Sequence, residues 1–177
     1  MRTDEFFIIT GGPGAGKTTL IKALAKAGHR TMPEAGRAII AARNKVDAPL
    51  TDPRLYAELM LLWEIRSHGA AMKGQGPVFF DRGVPELAGF LPMMGKPSPD
   101  HFERAAEIWT YNRSVFVAPP WEGIYVQDNE RRQSWEEAVR TFEFCVETYE
   151  RLGYEPVLLP LASVEERMRF VLERTGS

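Results

Sequence analysis

The sequence predicts an α/β domain built on a doubly wound, five-stranded parallel sheet. Three observations carry this. Short apolar runs alternate with helical runs along the whole chain, the pattern of strands joined by crossover helices. The first apolar run, FFIIT, stops at a glycine-rich turn that opens a helix. Two later helices begin with matched serine–glutamate caps, which fixes where those helices start.

Taken in order, residues 6–10 read as a strand buried on both faces, and residues 17–27 as the next helix, ending at Gly28. Residues 29–33 form a weak second strand, and residues 34–43 are helical. Thr51, Asp52 and Pro53 open a helix with proline at its first position, running to about Lys73. Its apolar residues lie nearly all round, so packing on two sides is expected. Trp63 reads as core, while Glu64 and Arg66 could face a pocket. Residues 76–83, GPVFFDRG, give the third strand and its exit. Residues 85–91 give a short segment of uncertain type, bracketed by prolines. Residues 98–111 give a helix, and residues 114–120 the fourth strand. Ser134 and Glu137 form a capping box for a helix to Leu152. Residues 155–160 are the fifth strand, and Ser163 with Glu166 cap the last helix.

The chain has 177 residues, 44% hydrophobic and 26% charged, which suits one globular domain over residues 1–177 and argues against disorder. A net charge of −2 excludes a broad basic nucleic-acid surface. No apolar run approaches the ~20 residues that span a membrane. The amino-terminal stretch MRTDEFFIIT is too acidic and too short in its apolar part for a signal peptide. The single cysteine, Cys145, is expected in the core, and one cysteine fits a reducing, cytoplasmic setting. Oligomeric state is not legible.

Chemistry concentrates at the first turn. GGPGAGKT matches G-x-x-x-x-G-K-[ST], the P-loop, after a strand and before a helix. Gly11, Gly12, Pro13, Gly14, Ala15 and Gly16 let backbone N–H groups converge into a nest for an anion, strengthened by the helix dipole. Lys17 reaches the β- and γ-phosphates of ATP, Thr18 can ligate Mg²⁺, and Thr19 completes the cofactor site. Asn44 to Asp47, NKVD, matches a guanine-reading motif but sits in the wrong place, after the second strand.

Three further groups lie where ligands bind in such sheets, at the carboxyl ends of strands. Asp81 is the expected catalytic and metal-binding carboxylate, and Arg82 an acceptor contact; the plainer alternative is an ion pair between the two. Glu34 and Arg37, one turn apart, are expected to touch the acceptor, or else to pair within their helix. Arg131 and Arg132, in a loop at about 120–134, are expected to close as a catalytic lid over the phosphates; the alternative is a solvated charge cluster.

The P-loop, Glu34 in PEAGR, Asp81 in VFFDRG and the NERRQ loop together resemble the P-loop kinases of nucleosides and nucleotides. In particular they resemble the AAA group of small ATP-binding proteins that includes the ribosylnicotinamide kinase domain. The resemblance implies a sheet ordered 2-3-1-4-5, MgATP on Lys17 and Thr18, a lid bearing Arg131 and Arg132, and adenine between the lid base and the turn after Leu159 and Pro160. FFDRGVPE departs from the ribosylnicotinamide kinase pattern, and Asp81-Arg82 is nearer the acid–arginine pair of deoxynucleoside kinases. Nicotinamide riboside is therefore not carried over. The expected function is phosphoryl transfer from ATP to a hydroxyl of a small, nucleoside-like acceptor. The alternative is a regulatory module that hydrolyses ATP slowly and acts on a protein partner.

Overall fold

The computed structural model describes residues 3–36, 39, 52–124 and 134–177. Five strands form one sheet: β1 (Phe6–Gly11), β2 (Arg30–Met32), β3 (Val78–Asp81), β4 (Ser114–Ala118) and β5 (Glu155–Leu158). Their order is β2-β3-β1-β4-β5 and every pairing is parallel, as the family resemblance implied. Six helices are described: α1 (Lys17–Lys26), α2 (Pro53–Ala71), α3 (Val84–Met93), α4 (Asp100–Ile108), α5 (Trp135–Arg151) and α6 (Val164–Thr175).

The unbroken apolar runs follow from covering both faces of the sheet. Successive side chains point to opposite faces. Phe6 and Ile8 of β1 join Val78, Phe80, Val115 and Val117 in a core closed by α2, α3, α4 and α5. Phe7 and Ile9 join Phe79 and Phe116 in a second core with Leu20 and Leu24 of α1 and Val171 of α6. Phe80 is fully buried, and burial of such a side chain contributes about 1.5–3 kcal/mol.

Both capping boxes form, Ser134 with Glu137 and Ser163 with Glu166. Such a cap is worth about 1 kcal/mol. Asp52 caps α2, accepting from the Arg54 N–H at 2.9 Å, with proline in the first turn.

Three elements differ from expectation. The segment after β3 is a full helix, α3, longer than residues 85–91. Its interior Pro92 loses one backbone bond, but the helix is mostly buried against its neighbours, and that packing outweighs the proline. α4 stops at Ile108, because Tyr111 turns into the core and the Asn112 N–H donates to the Phe6 carbonyl at 2.7 Å, leading the chain into β4. α2 packs on one side only: Ala57, Leu61, His68 and Ala71 are buried, while Leu55 and Leu62 are 51% and 65% exposed. Trp63 does pack against the first core. Residues 40–51, which include the NKVD segment, lie outside the described residues. Among the described residues no helix is long and apolar enough to cross a membrane.

The register lays Ile9 beside Asp81 and Gly11 beside Ala118. The carboxyl ends of β1, β3 and β4 thus make one edge, and the candidate groups gather there.

Candidate active site

The phosphate loop is shaped by backbone geometry. β1 ends at Gly11, whose Cβ, had it one, would lie 2.3 Å from the Ala118 carbonyl oxygen. A Cβ on Gly12 would lie 2.4 Å from that of Ala138, so α5 presses directly on the loop. Gly14 and Gly16 take left-handed φ values of 77° and 81°. Gly16 is the N-cap of α1 and no side chain caps it. The first N–H groups of α1 therefore face the loop hollow without an internal partner, the arrangement that receives an anion. These observations fit a bound triphosphate.

Lys17 closes that hollow from beneath. It is 7% exposed, and its ammonium donates to the carbonyls of Gly11 and Gly12, both at 2.8 Å. Burial, aided by the Arg82 charge, pulls it down to about 8, against the opposing carboxylates of Asp81, Glu34 and Glu86. A phosphate arriving in the loop would favour the charged form.

Asp81 ends β3 and is 4% exposed. Burial raises its carboxyl above the usual range, and the Lys17 charge opposes that rise. Its Oδ1 has no hydrogen-bond partner among the described residues. An unpartnered buried carboxylate oxygen near Lys17 fits a group held for a metal's hydration shell. Thr18 lines the cleft and supplies the hydroxyl such an ion would take. Among the described residues no cluster of three acids, histidines or cysteines forms a separate metal site.

Arg82 does not pair with Asp81. It takes a left-handed φ of 72°, unusual for a side-chain-bearing residue and costing about 1–3 kcal/mol. That turn aims the guanidinium at Glu34 (3.4 Å), at Glu86 and at the Gly11 carbonyl (3.2 Å). Glu86 is the hub. It also accepts from the Thr10 hydroxyl and from the Tyr149 hydroxyl (3.3 Å), joining α3, β1 and α5. The sequence reading missed Glu86; the available signal was its i,i+4 spacing from Arg82.

Arg167 was also missed. From α6 it donates to the Ala15 carbonyl of the phosphate loop (2.8 Å) and to the Pro160 carbonyl after β5 (3.0 Å). Its guanidinium lies 5.8 Å from the Trp121 ring centroid. It ties the loop to the turn expected to border adenine. Cys145 is buried as expected, its thiol pushed up to about 12 by burial. Arg37, Arg131, Arg132 and residues 125–133 of the lid expected at about 120–134 lie outside the described residues.

A cleft of about 840 Å³ joins the phosphate loop to Glu34, Arg82 and Glu86. One end is the phosphate loop from Pro13 to Thr19. The other is walled by α2, α3 and α5, with Glu34, Glu64, Arg82 and Glu86 among its lining. Asp81 lies behind this lining rather than in it.

A family model described as an AAA domain matches residues 6–167. No curated protein matches the chain. Among solved structures, the NadR protein in complex with NR superposes with a TM-score of 0.73 at 19% identity, covering 99% of this chain and 52% of that one. This chain thus spans about half the length of NadR. Deoxyadenosine kinase from M. mycoides, with products dCMP and a flexible dCDP bound, gives 0.68 at 12% identity, covering 97% and 98%. Thymidylate kinase from Ehrlichia chaffeensis gives 0.62 at 14% identity, covering 98% and 99%. At these identities the likeness establishes the fold. With the family match over nearly its whole length, the chain belongs to the AAA domain family, as a small P-loop protein with the architecture of nucleoside and nucleotide kinases.

Proposed function

We propose that this chain is an ATP-dependent phosphotransferase that passes the γ-phosphoryl group to a hydroxyl of a small, nucleoside-like molecule. The observation that carries this reading is the continuity of the cleft. The phosphate loop and a second, side-chain-lined pocket share one space of about 840 Å³, room for an acceptor beside a triphosphate. A hydrolase needs only water at that position.

The loop amides and the start of α1 hold the triphosphate. Lys17, released from the Gly11 and Gly12 carbonyls, offsets charge on the group in transfer. Mg²⁺, held by Thr18 and by Asp81, would neutralise β- and γ-phosphate charge. Glu34 and Arg82 face the acceptor and orient its hydroxyl. The sequence assigns Arg37 to the acceptor as well, and Arg131 and Arg132 would close over the phosphates and exclude water.

A coupled ADP-release assay across nucleosides, sugars and antibiotics tests this against the water-only rate. At least one compound should raise turnover. If none does while a protein partner raises it, the regulatory ATPase reading replaces this one.

A further inference from the structure

Two different cations hold carbonyl groups of the phosphate loop. Lys17, at the end of the loop, takes those of Gly11 and Gly12, both at 2.8 Å. The Ala15 carbonyl is taken from outside the loop, by Nη1 of Arg167 at 2.8 Å. Arg167 stands near the start of α6, 152 positions along the chain from Ala15, and is 3% exposed.

A peptide unit is planar and trans, so its C=O and its N–H point in opposite directions. The Ala15 carbonyl shares its unit with the Gly16 N–H. With the carbonyl drawn towards α6, that N–H points the other way, to the cleft that Ala15 and Gly16 line. The chain alone does not force this orientation. Glycine accepts φ of either sign about equally, and Gly16 sits at 81°. A half-turn of this one peptide would offer an anion a carbonyl oxygen where the nest needs a donor.

Arg167 is itself clamped. Its Nε donates to the Pro160 carbonyl, in the turn after β5, at 3.0 Å. The guanidinium is a rigid planar fork, so bonds to Pro160 and Ala15 together fix its plane. The Trp121 ring lies 5.8 Å from it, within cation–π reach. Contact with the loop is close: a Cβ on Gly16 would lie 2.8 Å from Nη1. Pro160 follows Leu159, whose N–H donates to the Val117 carbonyl of β4 at 2.9 Å. The Ala15–Gly16 peptide is thus held against the sheet, through α6 and the turn after β5.

We infer that Arg167 is a positioning residue of the phosphate site: it keeps the Ala15 carbonyl turned to α6, so that the Gly16 N–H meets a bound polyphosphate. Arg167 acts through the loop, and its own bonds are to carbonyl groups. The role requires only a polyphosphate in the loop, and it is the same whether the γ-phosphoryl group passes to a small acceptor or to water.

The test uses the full chain with Mg²⁺. Calorimetry gives the Kd of ATP and of inorganic tripolyphosphate for the natural protein, for Arg167→Leu and for Arg167→Lys, with the ligand-free Tm of each. Arg167→Leu should raise both Kd values by a similar factor, about tenfold or more, the worth of one well-placed donor to a charged oxygen. Arg167→Lys keeps the charge but lacks the fork. It should lose most of the same affinity while its Tm stays close to that of the natural protein. If the leucine variant fails to fold, the lysine variant decides.

Arg167→Leu with a lower Tm and unchanged Kd values makes Arg167 structural and overturns the inference. A Kd that rises for ATP and not for tripolyphosphate makes the guanidinium a contact of the nucleoside part, which also overturns it. Natural affinity in the lysine variant means that charge alone serves, and the inference falls. It falls likewise if the natural protein binds no tripolyphosphate. The acceptor question stays separate. The expected losses of affinity, with no compound raising turnover, uphold the role of Arg167 and defeat the phosphotransferase reading; unchanged affinities, with an acceptor phosphorylated, do the reverse.

Discussion

The two ends of the cleft are built from different materials. The phosphate end is made of backbone: glycines at left-handed φ, uncapped N–H groups at the start of α1, and carbonyls that hold Lys17. The acceptor end is made of side chains from three helices, with buried acids set among aromatic and methionine residues. A backbone nest recognises any polyphosphate, so its sequence is constrained and its meaning general. A side-chain pocket selects one shape, so its residues carry the specificity and follow no short motif. The difference predicts that substitutions at the two ends fail in different ways.

The largest effect is expected at their junction. Lys17→Ala should lower turnover about 100- to 1,000-fold, since it removes a preorganised charge from the group in transfer. The fold should survive, because burial already disfavours the Lys17 cation. An ADP-release rate and a ligand-free Tm check both. Retained turnover would mean that the loop binds nucleotide without catalysing its transfer.

Next comes Glu86→Ala, which should cost about 2–4 kcal/mol of stability. It strands the Arg82 guanidinium and removes the acceptor shared by Thr10 and Tyr149. Denaturant unfolding measures it. A loss below about 0.5 kcal/mol would show that Glu86 is no hub and that Arg82 rests on Glu34 alone. Gly12→Ala should cost less, about 1–3 kcal/mol, because its methyl group meets the Ala138 carbonyl. That strain falls on the loop itself, so the Tm increase produced by added ATP should shrink more than the ligand-free Tm does.

What was legible in the sequence follows the same division. The phosphate loop occupies contiguous residues, so one motif announced it. The caps Ser134–Glu137 and Ser163–Glu166 are local in the same way and formed as expected. The parallel sheet was legible because strands covered on both faces leave unbroken apolar runs. Glu86 and Arg167 were not legible. Their partners Tyr149 and Ala15 lie 63 and 152 positions away, and only the folded sheet edge brings them together. The extent of α3 was hidden by the interior Pro92, whose local preference is overridden by packing, whereas Pro85 sits in the first turn, where proline is at home. Asp81 was legible as a strand-end acid, but its place behind the cleft lining depends on how Lys17 and Arg82 fill the space in front of it.

A last comparison separates the ends by their titration. The folded protein holds a proton on Glu64 up to about pH 8, whereas an ordinary glutamate releases it near 4.5. Between those values the folded state binds more protons than the unfolded chain, so stability falls as pH rises and stops falling above about 8. Asp81, shifted in the same direction, adds to the fall. Lys17 acts in the other sense: lowered to about 8 from 10.5, it makes stability rise with pH between those values. Glu64→Gln has no proton to lose. Its Tm should therefore decline less than that of the natural protein from pH 5 to pH 8, while the rise above pH 8 that belongs to Lys17 persists in both. Parallel Tm curves across pH 5–8 would mean that Glu64 is ionised and solvated in the folded protein, and the acceptor end would then be a wet, charged surface rather than a pocket of acids set among aromatic and methionine side chains.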